Sequence, residues 1–271
     1  MAMRNVDLNR CLFHYTNISC SRCQTICPRQ AINNRVIDGE KCDNCGLCTA
    51  VCPTGAIQSS VDYDAELTSV QNLSPQVLMC QKVVPHAMPC LGALNRRLLW
   101  ALAEKKPLSI DTSRCRQCNP AVADWLAHEI EACNAALQEA NKTPIKLVHV
   151  KEAASASQQV GRRSFFQSLF HAASESAAEF ARSQTNQQYA FDPVIWLDRQ
   201  NISPSGIFPR LSLAKTCTAC GLCSMLCPEK ALSIGQEANG PRLFFNPIKC
   251  TGCGLCVNNC PQAALSLQAK E

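Results

Sequence analysis

Most of the cysteines in this chain recur in a spacing that suits iron–sulfur clusters. The pattern is C-x2-C-x2-C-x3-C-P, in which a proline follows the last of four closely spaced cysteines. Three segments follow it fully: Cys42–Pro53, Cys217–Pro228 and Cys250–Pro261. A fourth copy keeps only the last three cysteines at this spacing and consists of Cys11, Cys20, Cys23, Cys27 and Pro28. Thiolates in such runs are the usual ligands of [4Fe–4S] clusters.

The spacing has a physical reason. Three thiolates placed two residues apart on a tight loop can each face a different iron of one cubane, which a regular helix or strand does not allow. The fourth cysteine, before the proline, ligates the cluster of the partner motif. Each pair of motifs therefore predicts two clusters with exchanged ligands. The four predicted sets, which we name sites I to IV, are Cys11, Cys20, Cys23 and Cys52 (I); Cys42, Cys45, Cys48 and Cys27 (II); Cys217, Cys220, Cys223 and Cys260 (III); and Cys250, Cys253, Cys256 and Cys227 (IV).

Residues 11–56 and 217–265 each resemble a bacterial two-cluster ferredoxin domain. The resemblance rests on the cysteine motifs and on a C-P-x-x-A-I or A-L tail, which is found at Cys27–Ile32, Cys52–Ile57 and Cys227–Leu232. It covers less than half of the chain. The resemblance implies a ferredoxin-like module near each end and four [4Fe–4S] clusters that carry single electrons.

The first cysteine departs from the pattern of this family. Eight residues separate Cys11 from Cys20, where the family has two. The insertion places Phe13, His14 and Tyr15 in a loop over site I. We expect Cys11 to be the ligand of site I, and His14 is the alternative.

Other chemistries of cysteine fit the pattern less well. Structural zinc uses four cysteines, but rarely in this interleaved arrangement. Disulfides need an oxidising compartment, and the segment Met1–Cys11 contains no apolar stretch that would direct export. The sequence therefore predicts a reducing cytoplasm. Radical-SAM enzymes place the three-residue gap before the two-residue gap, whereas here it comes last, so we set that class aside as well.

Cluster binding would reverse the charge of the chain. The formal net charge is +5 when every cysteine is counted as neutral. Each [4Fe–4S] site with four thiolates adds about −2, which brings the loaded protein to about −3. Nucleic acids and acidic membrane surfaces are therefore not expected partners. No run of residues approaches the roughly eighteen apolar positions that a membrane-spanning helix needs.

The section between the motif pairs alternates strand and helix signals. Apolar runs at 75–80, 108–111 and 144–150 predict three strands. Leucines three and four residues apart over 91–102 predict one helix, and Asn119–Pro120 is a favourable start for another. The order strand, helix, strand, helix, strand predicts a small α/β domain with a parallel sheet.

Four further cysteines lie at one predicted edge of this domain. Cys80 ends the first strand, Cys90 begins the first helix, and Cys115 and Cys118 follow the second strand. Sites in open parallel sheets form at the carboxyl ends of strands, so the four thiols can meet as a fifth metal site. Three alternatives stay open: a [2Fe–2S] or [4Fe–4S] cluster, a structural zinc, or a dithiol in the C-x-x-C pair with a thiol pKa lowered by a helix N-terminus. The region also resembles cysteine-rich electron-transfer subunits of heterodisulfide-reductase-linked hydrogenases, although with different spacings.

The remaining candidates have structural interpretations. Cys133 is expected to be a buried thiol of the second helix, and His86 a loop residue. Residues 151–190 are rich in Ala, Ser and Gln and predict a linker that encloses one helix. We expect the phenylalanine-rich face of this helix to dock on the protein's own body, and a partner helix is the alternative. Within the linker, Gly161–Phe166 resembles a twin-arginine export signature but lacks the apolar stretch that must follow.

These signals predict an α+β fold in which two ferredoxin-like dicluster modules flank a small α/β (βαβαβ) domain that contains cysteines. The predicted divisions are an N-terminal module at 1–62, the α/β domain at 63–151, a linker with one helix at 152–210 and a C-terminal module at 211–271. A module of about fifty residues buries little apolar surface, so cluster binding should supply much of its folding free energy.

The sequence favours a cytoplasmic electron carrier of the polyferredoxin type, without catalytic residues of its own. Its expected partners are a donor and an acceptor redox protein, such as the components of a hydrogenase-type complex. An alternative is an accessory factor in the maturation of a molybdenum enzyme, because the ferredoxin motifs and the arginine pair together resemble the accessory ferredoxins of nitrate reductases. A third hypothesis, an enzyme that reduces disulfides, rests on the dithiol at Cys115 and Cys118.

Overall fold

A computed structural model of the chain describes residues 4–14, 19–85, 87–149, 191–238 and 240–268. Three expectations fall outside the described residues: the assignment of His86 to a loop, the linker helix with its phenylalanine face, and the arginine pair of 161–166. Short helices and strands alternate through the described ranges, so the predicted mixed character of the fold is confirmed. None of the helices in these ranges combines the length and the apolar character that crossing a membrane requires.

The N-terminal region consists of four short strands and two short helices. In chain order these are β1 (Arg4–Val6), α1 (Arg22–Ile26), β2 (Ile32–Asn33), β3 (Val36–Ile37), α2 (Leu47–Val51) and β4 (Ile57–Ser59), with a 3₁₀ turn (Leu12–His14) between β1 and α1. The outer strands β1 and β4 pair antiparallel, and so do the inner strands β2 and β3. This nested pairing brings α1 and α2, which carry cysteines of the two motifs, into contact.

The central region contains the parallel sheet that the sequence predicts. Its elements are α3 (Tyr63–Asn72), β5 (Gln76–Leu78), a 3₁₀ turn (Leu91–Ala93), α4 (Arg96–Ala103), β6 (Leu108–Ile110), α5 (Cys115–Cys118), α6 (Pro120–Glu139) and β7 (Lys146–Leu147). The strand order is β5-β6-β7, and both pairings are parallel. Helix α3 precedes this unit and has no counterpart among the elements predicted from the sequence.

The helix expected over 91–102 starts later than its leucine spacing indicates. The turn Leu91–Ala93 is separate, and α4 begins only at Arg96. The reason is Asn95, whose backbone is extended and whose side-chain oxygen accepts from two free N–H groups of the first turn at 3.1 and 3.2 Å. The expected cap of α6 at Asn119 is present.

Part of the segment assigned to the linker packs in the core. Asp192 caps α7 (Pro193–Arg199), and the indole N–H of Trp100 in α4 donates to the carbonyl of Ser203 at 3.0 Å. The buried apolar residues of this stretch are Phe191, Val194, Trp196, Leu197, Ile202, Ile207 and Phe208. The end of the predicted linker at 152–210 therefore contributes to the folded body.

The C-terminal region repeats the element order of the N-terminal region. Its elements are β8 (Arg210–Leu213), α8 (Leu222–Leu226), β9 (Leu232–Glu237), β10 (Gly240–Phe245), α9 (Leu255–Asn258) and β11 (Leu265–Gln268). The outer strands β8 and β11 pair antiparallel, and β9 and β10 form the inner hairpin. The same nested pairing therefore supports the cysteine motifs in both regions.

The N-terminal and central regions share one apolar core and touch through their backbones. Residues of α2, α3 and α4 belong to the same buried cluster. A Cβ atom at Gly92 would lie 2.3 Å from the carbonyl oxygen of Cys45, and a Cβ atom at Gly46 would lie 2.8 Å from the backbone nitrogen of Ala93. The cysteine loop of site II therefore rests directly on the turn Leu91–Ala93.

We expect Gly92→Ala to destabilise the protein, because the new methyl group would push the Cys45 loop away from the central region. Overpacking of this kind costs about 1–3 kcal/mol. The measurement is the midpoint of anaerobic thermal unfolding of the cluster-loaded chain by circular dichroism. Gly39→Ala is the control, since a Cβ there would meet nothing within 4 Å. Equal midpoints for the two variants would contradict the importance of this contact.

Candidate metal centres

Left-handed glycines shape three of the four cysteine motifs. Gly46, Gly221 and Gly254 follow the second cysteine of their motifs, have φ values of 84°, 80° and 80°, and precede α2, α8 and α9. Glycine adopts this conformation without strain, and it turns the loop so that successive thiols can face one centre. The corresponding residue of the looser motif is Ser21, with a φ of −120°. The backbone of site I therefore follows a different path near the insertion after Cys11.

The thiols of the N-terminal region group across the two motifs. Burial and neighbouring thiols raise the pKa of Cys23 to about 11. These neighbours come from both motifs and are Cys52, Cys48, Cys20 and Cys11. Burial is also the main cause of the raised pKa of Cys48, to which Cys42 and Cys27 contribute. The last cysteine of each motif thus lies near thiols of the other, Cys52 near Cys23 and Cys11, and Cys27 near Cys48, and sites I and II adjoin.

The C-terminal region has the same exchange of thiols. One pocket brings together Cys217, Cys220, Cys223 and Cys260, and its apolar lining includes Leu222, Ile234, Leu243 and Leu265. Burial raises the pKa of Cys256 to about 11, and the neighbouring thiols of Cys250, Cys253 and Cys227 add to the increase. The fold therefore brings together the predicted ligand sets of both site III and site IV.

Each motif ends in a turn that directs a backbone N–H at the sulfur of its last cysteine. The N···S distances are 3.2–3.3 Å, and the pairs are Ala31 with Cys27, Ala56 with Cys52, Ala231 with Cys227 and Ala264 with Cys260. The residue before each alanine has a left-handed φ of 46–58°, and each alanine is buried. Such bonds stabilise thiolates and influence the potential of a bound cluster. This geometry explains the C-P-x-x-A tail, which the motif ending at Cys260 also has.

The four cysteines of the central region also lie near one another. Burial raises the pKa of Cys115 to about 12, with further contributions from Cys80, Cys90 and Cys118. Within the described residues, no three His, Cys, Asp or Glu side chains converge on a position for a single metal ion. Neither the four central thiols nor the thiols of sites I to IV converge on a position for one ion. Cluster ligands are spaced more widely than the ligands of one ion.

Arg4 places a buried positive charge beside site II. It donates to Oγ1 of Thr49 at 2.7 Å and to the hydroxyl of Tyr63 at 2.6 Å. Burial lowers the pKa of Arg4, but Tyr63, Cys48 and Cys42 outweigh this effect, and the net direction is upward. The guanidinium is therefore charged at every pH at which the protein is folded.

Arg97 holds the corresponding place beside site IV. It donates to the carbonyl oxygen of Ile248 and lies over the ring of Phe208, 5.1 Å from the ring centroid. Burial lowers the pKa of Arg97 to about 10, while Cys250 and Glu229 oppose the decrease. The side chain remains charged at neutral pH, so a second enclosed cation faces the thiols.

The N-terminal and C-terminal regions meet through polar contacts. Arg10 pairs with Asp192 at 2.5 Å and with Glu229 at 3.8 Å. At the start of α4, Asn95 donates its side-chain amide to the carbonyl oxygen of Ala50 in α2 at 3.1 Å. Arg97 in α4 donates to the carbonyl oxygen of Ile248 in the loop of site IV. These two bonds place α4 between the helix of site II and the loop of site IV.

Comparison with known protein families found iron–sulfur domains in both cysteine regions. Residues 216–264 match the family described as a 4Fe-4S dicluster domain, and residues 17–63 match the LdpA Fe-S cluster-binding domain. The chain carries iron–sulfur domains of the ferredoxin type. No curated protein matches the chain significantly. Sets of four soft thiol ligands on glycine-turned loops with N–H···S bonds fit iron–sulfur clusters.

Cys11 and its alternative, His14, lie in different surroundings. Burial raises the pKa of Cys11, and Cys52 and Cys20 are near enough to contribute. His14 ends the 3₁₀ turn and is exposed. The Cys11 thiol therefore lies near two other thiols of the predicted site I set, as the prediction of Cys11 as the ligand requires.

Sequence reasoning missed the two arginines beside the thiols. Arg4 and Arg97 lie outside every motif, and the residues next to them do not indicate that either side chain is buried beside a cysteine. The alanine donors did have a signal, since the C-P-x-x-A tail repeats with constant spacing. The polar contacts of Arg10 join residues more than 180 positions apart, and no local pattern indicates them.

We expect Cys11→Ala to remove about four irons per chain, the content of one [4Fe–4S] cluster, because its thiol completes site I. His14→Ala should keep the full iron content. Both variants are measured by iron and sulfide analysis after anaerobic purification. Iron loss in the histidine variant, with full iron in the cysteine variant, would reverse the assignment.

We expect Arg97→Gln to lower the reduction potential of one centre by an amount on the order of tens of millivolts, since an enclosed cation favours the more negative reduced state. A redox titration followed by electron paramagnetic resonance measures it. Arg97→Lys keeps the charge and should shift the potential less. Equal potentials in the wild type and the glutamine variant would show that this charge has no influence on site IV.

Proposed function

We propose that the chain relays single electrons through four [4Fe–4S] clusters, between a donor and an acceptor redox protein. The observation that supports this most strongly is the packing of both cysteine regions against one central region. Sites I to IV then lie in a single folded body rather than on separate tethered modules. A bound cluster supplies a one-electron centre, and the protein's part is to hold such centres close together and rigid.

The contacts between the regions support a linear order of sites. Sites I and II exchange ligands, and so do sites III and IV. Glu229 follows Cys227 of site IV by two residues, and Arg10 immediately precedes Cys11 of site I. The 3.8 Å contact between Arg10 and Glu229 therefore joins the two pairs. The resulting order is III, IV, I, II, and electrons would follow it in either direction.

The groups around the thiols are suited to stabilising the negative charge of a reduced cluster. Backbone N–H groups of the alanine tails contact four of the sulfurs. Arg4 and Arg97 place positive charge beside sites II and IV. Hydrogen bonds and nearby cations both favour the reduced state of an iron–sulfur centre. No step that makes or breaks a covalent bond is part of this proposal.

Site III offers a surface for exchange with a redox partner. Cys220 is exposed, and Met225 in α8 has an exposed fraction of 83%. Leu213 and Leu222 are exposed apolar residues of the same region. Because the neighbours of this exposed ligand are apolar, a partner protein can contact the surface next to the cluster without desolvating charged side chains. The proposed partner is a redox enzyme, such as a hydrogenase-type or molybdenum-containing complex.

Loss of a site III thiol tests the modular relay. We expect Cys220→Ala to lose about four irons per chain while the magnetic resonance signals of sites I and II persist. Thr218→Ala is the control, because Thr218 is an exposed residue of the same loop that is not a predicted ligand. Simultaneous loss of iron from both regions would contradict independent loading of the sites.

The role of the relay is tested by co-purification and depletion. A relay subunit should purify in fixed stoichiometry with a redox enzyme and be needed at every turnover. Removal of the chain from the purified complex should therefore stop electron transfer, and adding back the wild type but not the Cys220→Ala variant should restore it. A partner enzyme that keeps full turnover after removal would identify a maturation factor instead.

A further inference from the structure

The central region contains a four-thiol group that no ferredoxin motif accounts for. We propose that Cys80, Cys90, Cys115 and Cys118 hold a fifth iron–sulfur cluster, here named site V, and that it exchanges electrons with site II. The cluster assignment stands on its own, while the exchange with site II rests on the proposed relay. Site V would extend the order of centres to III, IV, I, II, V.

Backbone hydrogen bonds bring two of the thiols together around a loop. Cys80 follows β5 and forms a parallel β-bridge with Met88, and the N–H of Gln81 donates to the carbonyl of Met88 at 2.9 Å. The loop is closed by these contacts, so the chain returns to Cys90 close to where it left the sheet. The backbone N–H of Gly92 donates a hydrogen bond to the sulfur of Cys90.

The other two thiols arrive from the neighbouring strand. The N–H of Asp111, directly after β6, donates to the carbonyl of Leu78 in β5 at 2.9 Å, which aligns the carboxyl ends of the two strands. The chain then enters α5, and the N–H of Cys115 donates to the carbonyl of Thr112 at 2.9 Å. All four thiols therefore meet where sites form in parallel sheets.

Mutual electrostatic influence supports this convergence. Burial raises the pKa of Cys90 to about 11, with Cys80 and Cys118 adding to the increase. Burial likewise raises the pKa of Cys115, and electrostatic interaction with the three other thiols adds to the increase.

A cluster fits these thiols better than the other two chemistries of cysteine. A structural zinc needs a tight tetrahedron of ligands, and among the described residues no such convergence on one ion is found. A reactive dithiol would use only Cys115 and Cys118. The fold also brings Cys80 and Cys90 to the same edge of the sheet, and a dithiol leaves these two thiols without a role.

Site V adjoins the loop of site II. Gly92 meets the backbone of Cys45 so closely that a Cβ there would overlap its carbonyl oxygen. The side-chain amide of Asn119 donates to Oδ2 of Asp43 at 2.9 Å, which joins the residue after Cys118 to the site II loop. Tyr63 is influenced by Cys48 of site II and by Cys90 of site V. These contacts place the two sets of thiols on touching segments.

The proposed step is the transfer of one electron between the clusters of sites II and V. The donor cluster is oxidised by one electron and the acceptor cluster is reduced by one, without bond formation or proton transfer. The thiolates and their iron remain in place. An electron that enters at site III and reaches site II can therefore pass to one further centre, site V, which lies at the other end of the proposed order.

Metal and sulfide analysis of the full chain, purified anaerobically, tests the cluster. We expect about 18 irons per chain if site V is [2Fe–2S] and about 20 if it is [4Fe–4S], without stoichiometric zinc. The double variant C115S/C118S should lose about two irons if site V is [2Fe–2S] and about four if it is [4Fe–4S]. Cys133→Ser is the control, since Cys133 is a buried thiol of the same domain that takes no part in the four-thiol group. It should keep the full iron content.

Several results would overturn site V. These are about 16 irons with one zinc, about 16 irons that the double variant leaves unchanged, or an equal loss of iron in the Cys133→Ser control. Far-ultraviolet circular dichroism of both variants verifies that the fold is retained. These outcomes leave the iron of sites I to IV unaffected, so failure of site V is distinguishable from failure of the relay, which the Cys220→Ala variant tests.

Magnetic resonance tests the coupling of the two sites. In the reduced wild type, the spins of sites II and V should broaden or split each other's signals. The double variant should show the sharper signal of an isolated pair of sites I and II. An identical spectrum of the N-terminal centres in the wild type and the double variant would overturn the proposed exchange, even if the iron analysis supports site V.

Discussion

The backbone of the site II loop touches the backbone of the turn Leu91–Ala93 so closely that only glycine fits at the contact. Gly46 and Gly92 lie opposite Ala93 and Cys45, with no room for a side chain. This contact joins the N-terminal cysteines to the central sheet and brings the four central thiols next to site II. Without it, the cysteine motifs would form a small module with little apolar core of its own.

Charge is the second constraint on this structure. Clusters with four thiolates are negatively charged, and enclosing negative charge is costly unless cations or hydrogen bonds compensate it. Arg4 faces site II, Arg97 faces site IV, and the tail alanines donate their N–H groups to sulfur. Arg97 also contacts Ile248, so the same side chain compensates charge and joins two regions. Compensation of the thiolate charge and packing of the regions therefore depend on the same residue.

Local patterns predicted those parts of the fold that local forces decide. The α6 cap at Asn119 and the strand positions of the central sheet both follow from short-range spacing. The start of α4 did not, because the leucine spacing over 91–102 continues through Asn95, whose extended backbone separates the turn from the helix. The packing of helix α7 in the core has no local signal either, because its apolar residues lie in a core cluster with residues of the distant central region.

The sequence by itself determined the iron–sulfur character of the chain, because cluster ligation requires thiols at fixed short spacings that are visible without a fold. It also determined the tail turns, which lie within six residues of their cysteines. Only the tertiary structure decided how the regions meet, which arginines face the thiols and whether the central cysteines come together. Those contacts join residues far apart in the chain, and their free energy depends on burial and on neighbouring charges that only the folded chain creates.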